Sequence, residues 1–427
     1  MIKIPLPYGK SHLTATLPDG WHVEHIVPAK IDPAADPIAL IREALENPVG
    51  ASSLDLSNVN KIAIAINDKT RPVPHKDLLP PLLAQLEALG ASRDAITFVI
   101  ATGAHPPMLP EEYAMILPDG IIGKHRLICH DATDDASLAY LGITTRGTPV
   151  FINQDFMAAD LRIVVGNIEA HQFQGFSGGV KSAAIGLAGK ATIRHNHAMM
   201  TMDASRLGRY EDNPARQDVE EIGRMIGVHF ALNVVLNVEK RIVQVVAGDP
   251  IEVMRTAIPT VRQIYQVTVE APFELILASP GGHPKDINLY QAQKALAHAA
   301  RVAKDGATVV LVAACPEGTG SPGYQNWMMH SQMTSHDAVI ERIKQEGFQI
   351  GPHKAFLLAR DATRLQVQLV SEMDPDLVRK LLLHPATSLD EAIGKALADL
   401  PPQARVGIIS AANSTMPTLA PDPRGQG

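Results

Sequence analysis

Cysteine is almost missing from this chain: two residues, Cys129 and Cys315, among 427. They lie far apart and form no CxxC pair, which argues against a disulfide framework and against a structural zinc site. Positive charge is also in short supply. Lys and Arg number 38 against 45 Asp and Glu, a formal net charge of −7, and no dense Lys/Arg run occurs. A nucleic-acid backbone as main partner is thereby disfavoured, because binding one needs a basic footprint. No apolar stretch reaches the roughly 18 residues that span a bilayer. The start, MIKIPLPYGKSHL, has no apolar core of signal-peptide length. The expectation is a soluble cytoplasmic protein with neither membrane nor nucleic acid as partner.

What the chain does have is apolar residues, 46% against 19% charged. That supports a large core and excludes global disorder. The length suits two or three domains of roughly 150 residues each. Short apolar runs at 62–66, 95–100, 161–165, 274–278, 307–312 and 406–409 read as buried strands of parallel sheets. Helix-like segments such as 76–89 and 289–304 lie between them. This alternation predicts an α/β fold: two α/β domains with mostly parallel sheets and an active site in the cleft between them. The boundary is placed within 265–272, giving an N-terminal domain 1–268 and a C-terminal domain 269–427. The last 20 or so residues are expected to pack back on the N-terminal domain or to fray, with fraying from about residue 417, where Pro and Gly accumulate.

Polar residues sit just past the strand ends. The first run leads into Asn67-Asp68-Lys69-Thr70-Arg71, the second into Ala101-Thr102-Gly103-Ala104-His105. The third leads into Gly166-Asn167-Ile168-Glu169-Ala170-His171, and 274–278 into Ser279-Pro280-Gly281-Gly282-His283. Open α/β sheets bind ligands outside the carboxyl ends of their strands.

The loop Gly175-Phe176-Ser177-Gly178-Gly179-Val180-Lys181-Ser182 has the small residues that let a backbone cradle phosphate. It approaches the P-loop pattern but carries Val180 where a glycine should precede the lysine, so nucleotide hydrolysis is disfavoured. Lys181 can neutralise phosphate, act as a nucleophile, or simply be solvated. Of 17 histidines, His22, His25, His75 and His125 default to surface or core roles. His105 and His171 follow strand ends, where two acid–base groups would suit inversion of a stereocentre. In His195-Asn196-His197, spacing i,i+2 on a helix allows one metal ligand rather than two. Any metal would therefore take most of its ligands from a cofactor. Tyr290, Gln291 and Lys294 share a helix face suited to a carboxylate, or to solvent, and Arg71 could clamp the same carboxylate.

Together these segments resemble the nickel-pincer lactate racemase family of 2-hydroxyacid racemases and epimerases. The resemblance runs over roughly residues 60 to 300, through Asp68-Lys69-Thr70-Arg71-Pro72, Thr102-Gly103-Ala104-His105, Glu169-Ala170-His171, the loop 175–182, His197 and Tyr290-Gln291-Ala292-Gln293-Lys294. It implies an isomerase that uses nickel in a pyridinium-3,5-bisthiocarboxylic acid mononucleotide joined covalently to Lys181. His197 would bind the nickel. Ser177, Gly178 and Gly179 would help seat the cofactor, with Asp68 and Tyr290 nearby. His105 and His171 would be the acid–base pair, and Arg71, Gln291 and Lys294 would orient the substrate. The C2 hydrogen would leave as hydride, and cofactor-biosynthesis enzymes would be needed for maturation. Two alternatives remain at this stage: a cofactor-independent two-histidine racemase, and a non-catalytic carrier of the nickel nucleotide. The resemblance leaves open whether Val180 tunes the pocket, whether His195 competes with His197, and whether segment 318–329 lines the pocket or is core.

Overall fold

The computed structural model describes residues 1–50, 54–349, 351–401 and 403–421. They form two compact units, one of residues 30–264 and one of residues 1–29 with 265–427.

In unit 30–264 a six-stranded sheet has the order Ile242–Gly248, Phe230–Leu236, Leu161–Asn167, Ile62–Asn67, Ile96–Ala101, Arg126–Cys129. All pairings are parallel except that of Ile242–Gly248 with Phe230–Leu236. The continuous apolar runs are explained by burial on both faces: Ala63, Ile64, Ala65 and Ile66 are all at most 1% exposed. From Ile62–Asn67 the chain builds outward in one direction, then crosses back to place Leu161–Asn167 on the other side. The switch point of the sheet thus lies between these two strands, and their carboxyl ends are Asn67 and Asn167. The helix Pro214–Ile226 starts with Asn213 accepting from Arg216 N–H and Pro214 in its first turn, and ends at Gly227 in the left-handed region.

The other unit has a six-stranded, all-parallel sheet ordered His384–Ala386, Gln366–Val370, Ala303–Val312, Phe273–Ala278, Arg405–Ile409, His22–His25. Three expectations need correction here. Residues 1–29 belong to this unit and not to the one that follows them. His22–His25 pairs with Arg405–Ile409, and the hairpin Ile2–Tyr8/Ser11–Leu17 buries Ile4, Leu6, Ala15 and Leu17 in one core with Leu275, Leu277 and Val310. The predicted helix 289–304 stops at Ala299, because the strand Ala303–Val312 begins by pairing Ala303 with Phe273. Residues 417–419 are not frayed, since Met416–Leu419 pairs in parallel with Gln266–Val269 of its own unit. Residues 422–427 lie outside the described residues.

No helix among the described residues is long and apolar enough to cross a membrane. In segment 318–329, Tyr324, Trp327 and Met328 are buried, with Trp327 Nε1 donating to Glu346 at 2.8 Å, while Gly320, Pro322, Gly323, Asn326 and Met329 are exposed. His22 and His25 are exposed on the edge strand, His125 stacks edge-on against Phe98, and His75 is buried.

Candidate active site

Three of the four strand-end loops meet at one pocket within unit 30–264. Its lining includes Asn67, Asp68 and Arg71 from the first loop, His105 from the second, and Asn167 and His171 from the third. Ser177, Gly178 and Lys181 come from the glycine-rich loop, and His197 from the helix Lys190–Ala198. The fourth loop, 279–283, lies in the other unit and is engaged by the hairpin: Ser279 Oγ donates to Pro7 O, and His283 N–H to Gly9 O.

Asp68, 3% exposed, organises one wall. Its Oδ1 accepts from Thr70 Oγ at 2.6 Å, and its Oδ2 lies 2.8 Å from His105 Nδ1. Burial pushes this carboxyl up, but the bonds from His105 and Thr70 outweigh it and hold the group below the usual carboxylate range. With its Nδ1 proton aimed at Asp68, a neutral His105 carries its lone pair on Nε2. His171 is set the opposite way. Its Nδ1 accepts from Gln174 N–H at 3.2 Å, so the neutral ring carries its proton on Nε2. When neutral, the two rings thus hold opposite tautomers, with Nε2 an acceptor in His105 and a donor in His171.

The glycine-rich loop is held from beneath. Arg216, fully buried, donates to Phe176 O and Gly178 O at 3.1 Å and pairs with Glu220 at 2.6 Å. Asn233 Oδ1 accepts from Gly179 N–H at 2.6 Å. Gly178 requires its residue type: φ is +82°, and a Cβ would stand 2.3 Å from Ile168 Cγ1. Val180 does not line the pocket. It is 4% exposed and packs so closely on the helix Pro214–Ile226 that a Cβ on Gly223 would sit 2.5 Å from its own.

Lys181 opens the short helix Lys181–Ala184 and reaches the pocket. Burial, then the positive charges of Arg71 and Arg216, push its ammonium well below the usual lysine range, with Glu169 opposing. Its neutral amine is the nucleophilic form.

His197 rests on a polar chain. Asn196, fully buried, gives its Nδ2 hydrogens to Ala215 O and Asp218 Oδ2, both at 2.9 Å. Its Oδ1 must then be the atom that accepts from Gln174 Nε2 at 2.7 Å and faces His197 Nδ1 at 3.2 Å. A neutral His197 donating from Nδ1 carries its lone pair on Nε2, the arrangement in which a ring is oriented for a metal. Asp218 also accepts from Thr144 and Thr148. Because the Thr148 hydroxyl is spent on Asp218, it accepts from His195 Nδ1 at 2.8 Å. His195 is therefore tied to Thr148 and lies outside the pocket lining. Among the described residues no group of three or more His, Cys, Asp or Glu could hold a metal. A metal at His197 would rely on donors from a bound cofactor.

Tyr290, Gln291 and Lys294 lie in the other unit, on the helix Leu289–Ala299. Lys294 Nζ donates to Gln291 Oε1 at 2.8 Å, and the Tyr290 hydroxyl lies 3.5 Å from His353 Nε2. Sequence reasoning missed Asn196, Asp218, Thr148, Arg216, Glu220 and Asn233. The i,i+4 spacing of Arg216 and Glu220 was visible, but nothing in it marks the pair as buried.

Residues 8–208 match the lactate racemase N-terminal domain and residues 268–416 the lactate racemase C-terminal domain. The lactate racemase of Lactiplantibacillus plantarum is 30% identical over 96% of this chain and 98% of its own length. That of Thermoanaerobacterium thermosaccharolyticum is 29% identical over 96% and 97%. The structure of the latter's apoprotein superposes with a TM-score of 0.89 at 28% identity, covering 97% of this chain and all of that one. A Thermotoga maritima protein shares the fold, with a TM-score of 0.65 at 18% identity over 90% of this chain and 98% of its own. By domain match and by full-length similarity, this chain belongs to the lactate racemase family and is an isomerase.

Proposed function

We propose that this protein racemises or epimerises a 2-hydroxy acid, lactate or a close relative, with a nickel pyridinium bisthiocarboxylate mononucleotide resident on Lys181. The observation that carries this is the convergence of His105, His171, Lys181 and His197 on one pocket at the switch point of a parallel sheet.

The side chains present fit such a group. Lys181 reaches the pocket and offers an amine for a covalent link, with burial and the charges of Arg71 and Arg216 disfavouring its ammonium form. Ser177 and Gly178 line the same pocket and, with Gly179 behind them, would help seat the mononucleotide. His197, oriented through Nδ1, offers nickel a single protein ligand. When bound, the cofactor supplies a reversible acceptor for the C2 hydrogen as hydride, which leaves C2 planar and open to return on either face. Direct removal of that hydrogen as a proton is far harder, because it lies α to an ionised carboxylate.

The chain's own residues handle the oxygen. His105, with Nε2 free of its Nδ1 proton's direction, takes the 2-hydroxyl proton from one enantiomer. His171, acting as the imidazolium, delivers a proton to the same oxygen as the other enantiomer forms and is left neutral. Each exchanges role in the reverse direction and contributes about 10²–10⁴-fold. Asp68 fixes the His105 tautomer and stabilises its cation. Arg71, Gln291 and Lys294 are the groups assigned to the substrate carboxylate, and Tyr290 is assigned to the cofactor.

The test is intact mass and nickel content of protein co-produced with the cofactor-making enzymes, beside Lys181→Ala, with lactate racemisation followed in both. The expected result is an added mononucleotide mass and about one nickel, both lost with activity in the variant. Activity retained in Lys181→Ala would instead establish cofactor-free racemisation by the two histidines. A loaded protein that turns over no 2-hydroxy acid would make it a carrier.

A further inference from the structure

The helix His353–Ala362 packs on Leu289–Ala299 and adds a second lysine to the Tyr290, Gln291, Lys294 cluster. Lys354 is 6% exposed, and its Nζ stands 4.2 Å from the centroid of the Tyr290 ring. No carboxylate among the described residues forms an ion pair with it. The charge that does act on it is Lys294, which repels it and, after burial, helps push its ammonium well below the usual lysine range. His353 adds no negative charge. Burial, then the Lys354 charge, hold that imidazole neutral down to about pH 3. This corner of the unit therefore gathers two lysines, an amide, a phenol and a neutral imidazole, with no acid among them.

A buried cation lacking an anion is costly, and an apolar side chain of the same length would serve packing better. The Tyr290 face offsets part of that cost. It does not explain why two lysines are brought together. A small monocarboxylate is already provided for by Lys294 with Gln291, a charged donor beside an amide. A further cation calls for a further negative group from outside the chain.

We propose that Lys354 binds a second carboxylate on the substrate, so that the preferred substrate is a 2-hydroxydicarboxylate, held through one carboxylate by Lys294 and Gln291 and through the other by Lys354. This rests on the racemase function proposed above and narrows its substrate class.

The test compares the cofactor-loaded wild type with Lys354→Met, Lys354→Gln and Lys354→Arg. Turnover of malate and of lactate is measured, and so is inhibition by succinate and propionate, which lack the hydroxyl and cannot react. The expected wild-type kcat/KM for malate exceeds that for lactate by tenfold or more. That ratio should fall at least tenfold in Lys354→Met and Lys354→Gln, chiefly through the malate KM, and recover in Lys354→Arg. Succinate should bind more tightly than propionate in the wild type and lose this advantage in Lys354→Met. Lactate preferred over malate, or malate and lactate affected alike by every substitution, overturns the assignment of Lys354 and leaves the racemase function standing. Turnover of no 2-hydroxy acid by loaded protein refutes the racemase function itself, and the succinate-to-propionate ratio then still decides whether Lys354 recognises a second carboxylate.

Discussion

Asn196 makes no contact with a reacting atom in the proposed function, yet its carboxamide is the hinge between Asp218 and His197. Its two hydrogens are committed to Ala215 O and Asp218, so its oxygen has to face the His197 ring. It acts as a positioning residue. Replacing it with alanine removes the group that fixes the ring and its tautomer, and outer partners of metal-binding histidines are typically worth 10–100-fold in metal affinity. Asn196→Ala is therefore expected to keep the covalent mononucleotide mass but to lose nickel to a chelator about 10–100-fold more readily. Nickel retention equal to wild type would show that Asn196 serves packing alone. The contrast with what the sequence reveals is instructive. Of the pocket-lining residues, His105 and His171 stand out because histidine chemistry is distinctive and they follow strand ends, Lys181 through the glycine-rich loop before it, and His197 as one of a histidine pair on a helix. Asn196, Asp218, Thr144 and Thr148 are ordinary residue types whose meaning lies in a hydrogen-bond chain that joins positions up to 74 residues apart. No local pattern records such a chain.

The glycine-rich loop depends on an element that the pocket never shows. The helix Pro214–Ile226 buries Arg216, Asp218 and Glu220 on faces that in an amphipathic helix would be apolar. Arg216 spends its guanidinium on two loop carbonyls and on Glu220, and Tyr210 donates to the same Glu220 oxygen at 2.8 Å. Removing one member strands the other charge, which typically costs about 3–5 kcal/mol, whereas replacing both by apolar groups is often neutral. Arg216→Met should lower the thermal midpoint sharply and weaken Lys181 modification. Arg216→Met with Glu220→Leu should regain much of the midpoint without regaining modification, because the loop carbonyls stay without donors. Equal midpoints for the single and double variants would mean that the pair is not coupled. At this scale five of the six strands read were legible to within a residue or two, since burial on both faces makes them continuous apolar runs, whereas Ala303–Val312 starts four residues before the run that marks it. The helix from Leu289 was drawn too long because Ala, Val and Lys suit a helix at 300–304. The strand partner Phe273 decides against it, and a partner 30 residues away leaves no local trace.

Across the whole molecule, acid sensitivity follows from buried histidines in both units, His75 in one and His298 and His353 in the other. Burial lowers His75 to about 3, with the charge of Asp68 opposing, and lowers His298 to about 4, with its bond to Thr415 O opposing. Both rings stay neutral in the folded protein while an unfolded histidine gains its proton near pH 6.5. Between these limits the unfolded state binds more protons, so stability is full above about pH 6.5. It falls as the pH drops toward 3 or 4, by up to about 1.4 kcal/mol per pH unit for each ring. Thermal midpoints measured from pH 7 to 4 should decline, and His75→Gln should flatten the decline. An unchanged slope in that variant would remove His75 from the account. The domain plan was half legible for a related reason. A boundary near 265 shows as a change of segment type, but nothing in the first 29 residues announces that their partners are Arg405–Ile409 and the core around Leu275.

That discontinuity sets a timetable for synthesis. The ribosome releases residues 1–29 first, then everything in 30–264, before any partner of the hairpin or of His22–His25 exists. At about 5–20 residues per second the wait is on the order of 10–50 s. Through that interval Ile4, Leu6 and Leu17 have no core to enter, and the strand destined for an edge is open to pairing with any neighbour. Units that close on an earlier segment in this way are the ones a holdase would meet most often, while 30–264 emerges as one continuous stretch with every strand of its six-stranded sheet.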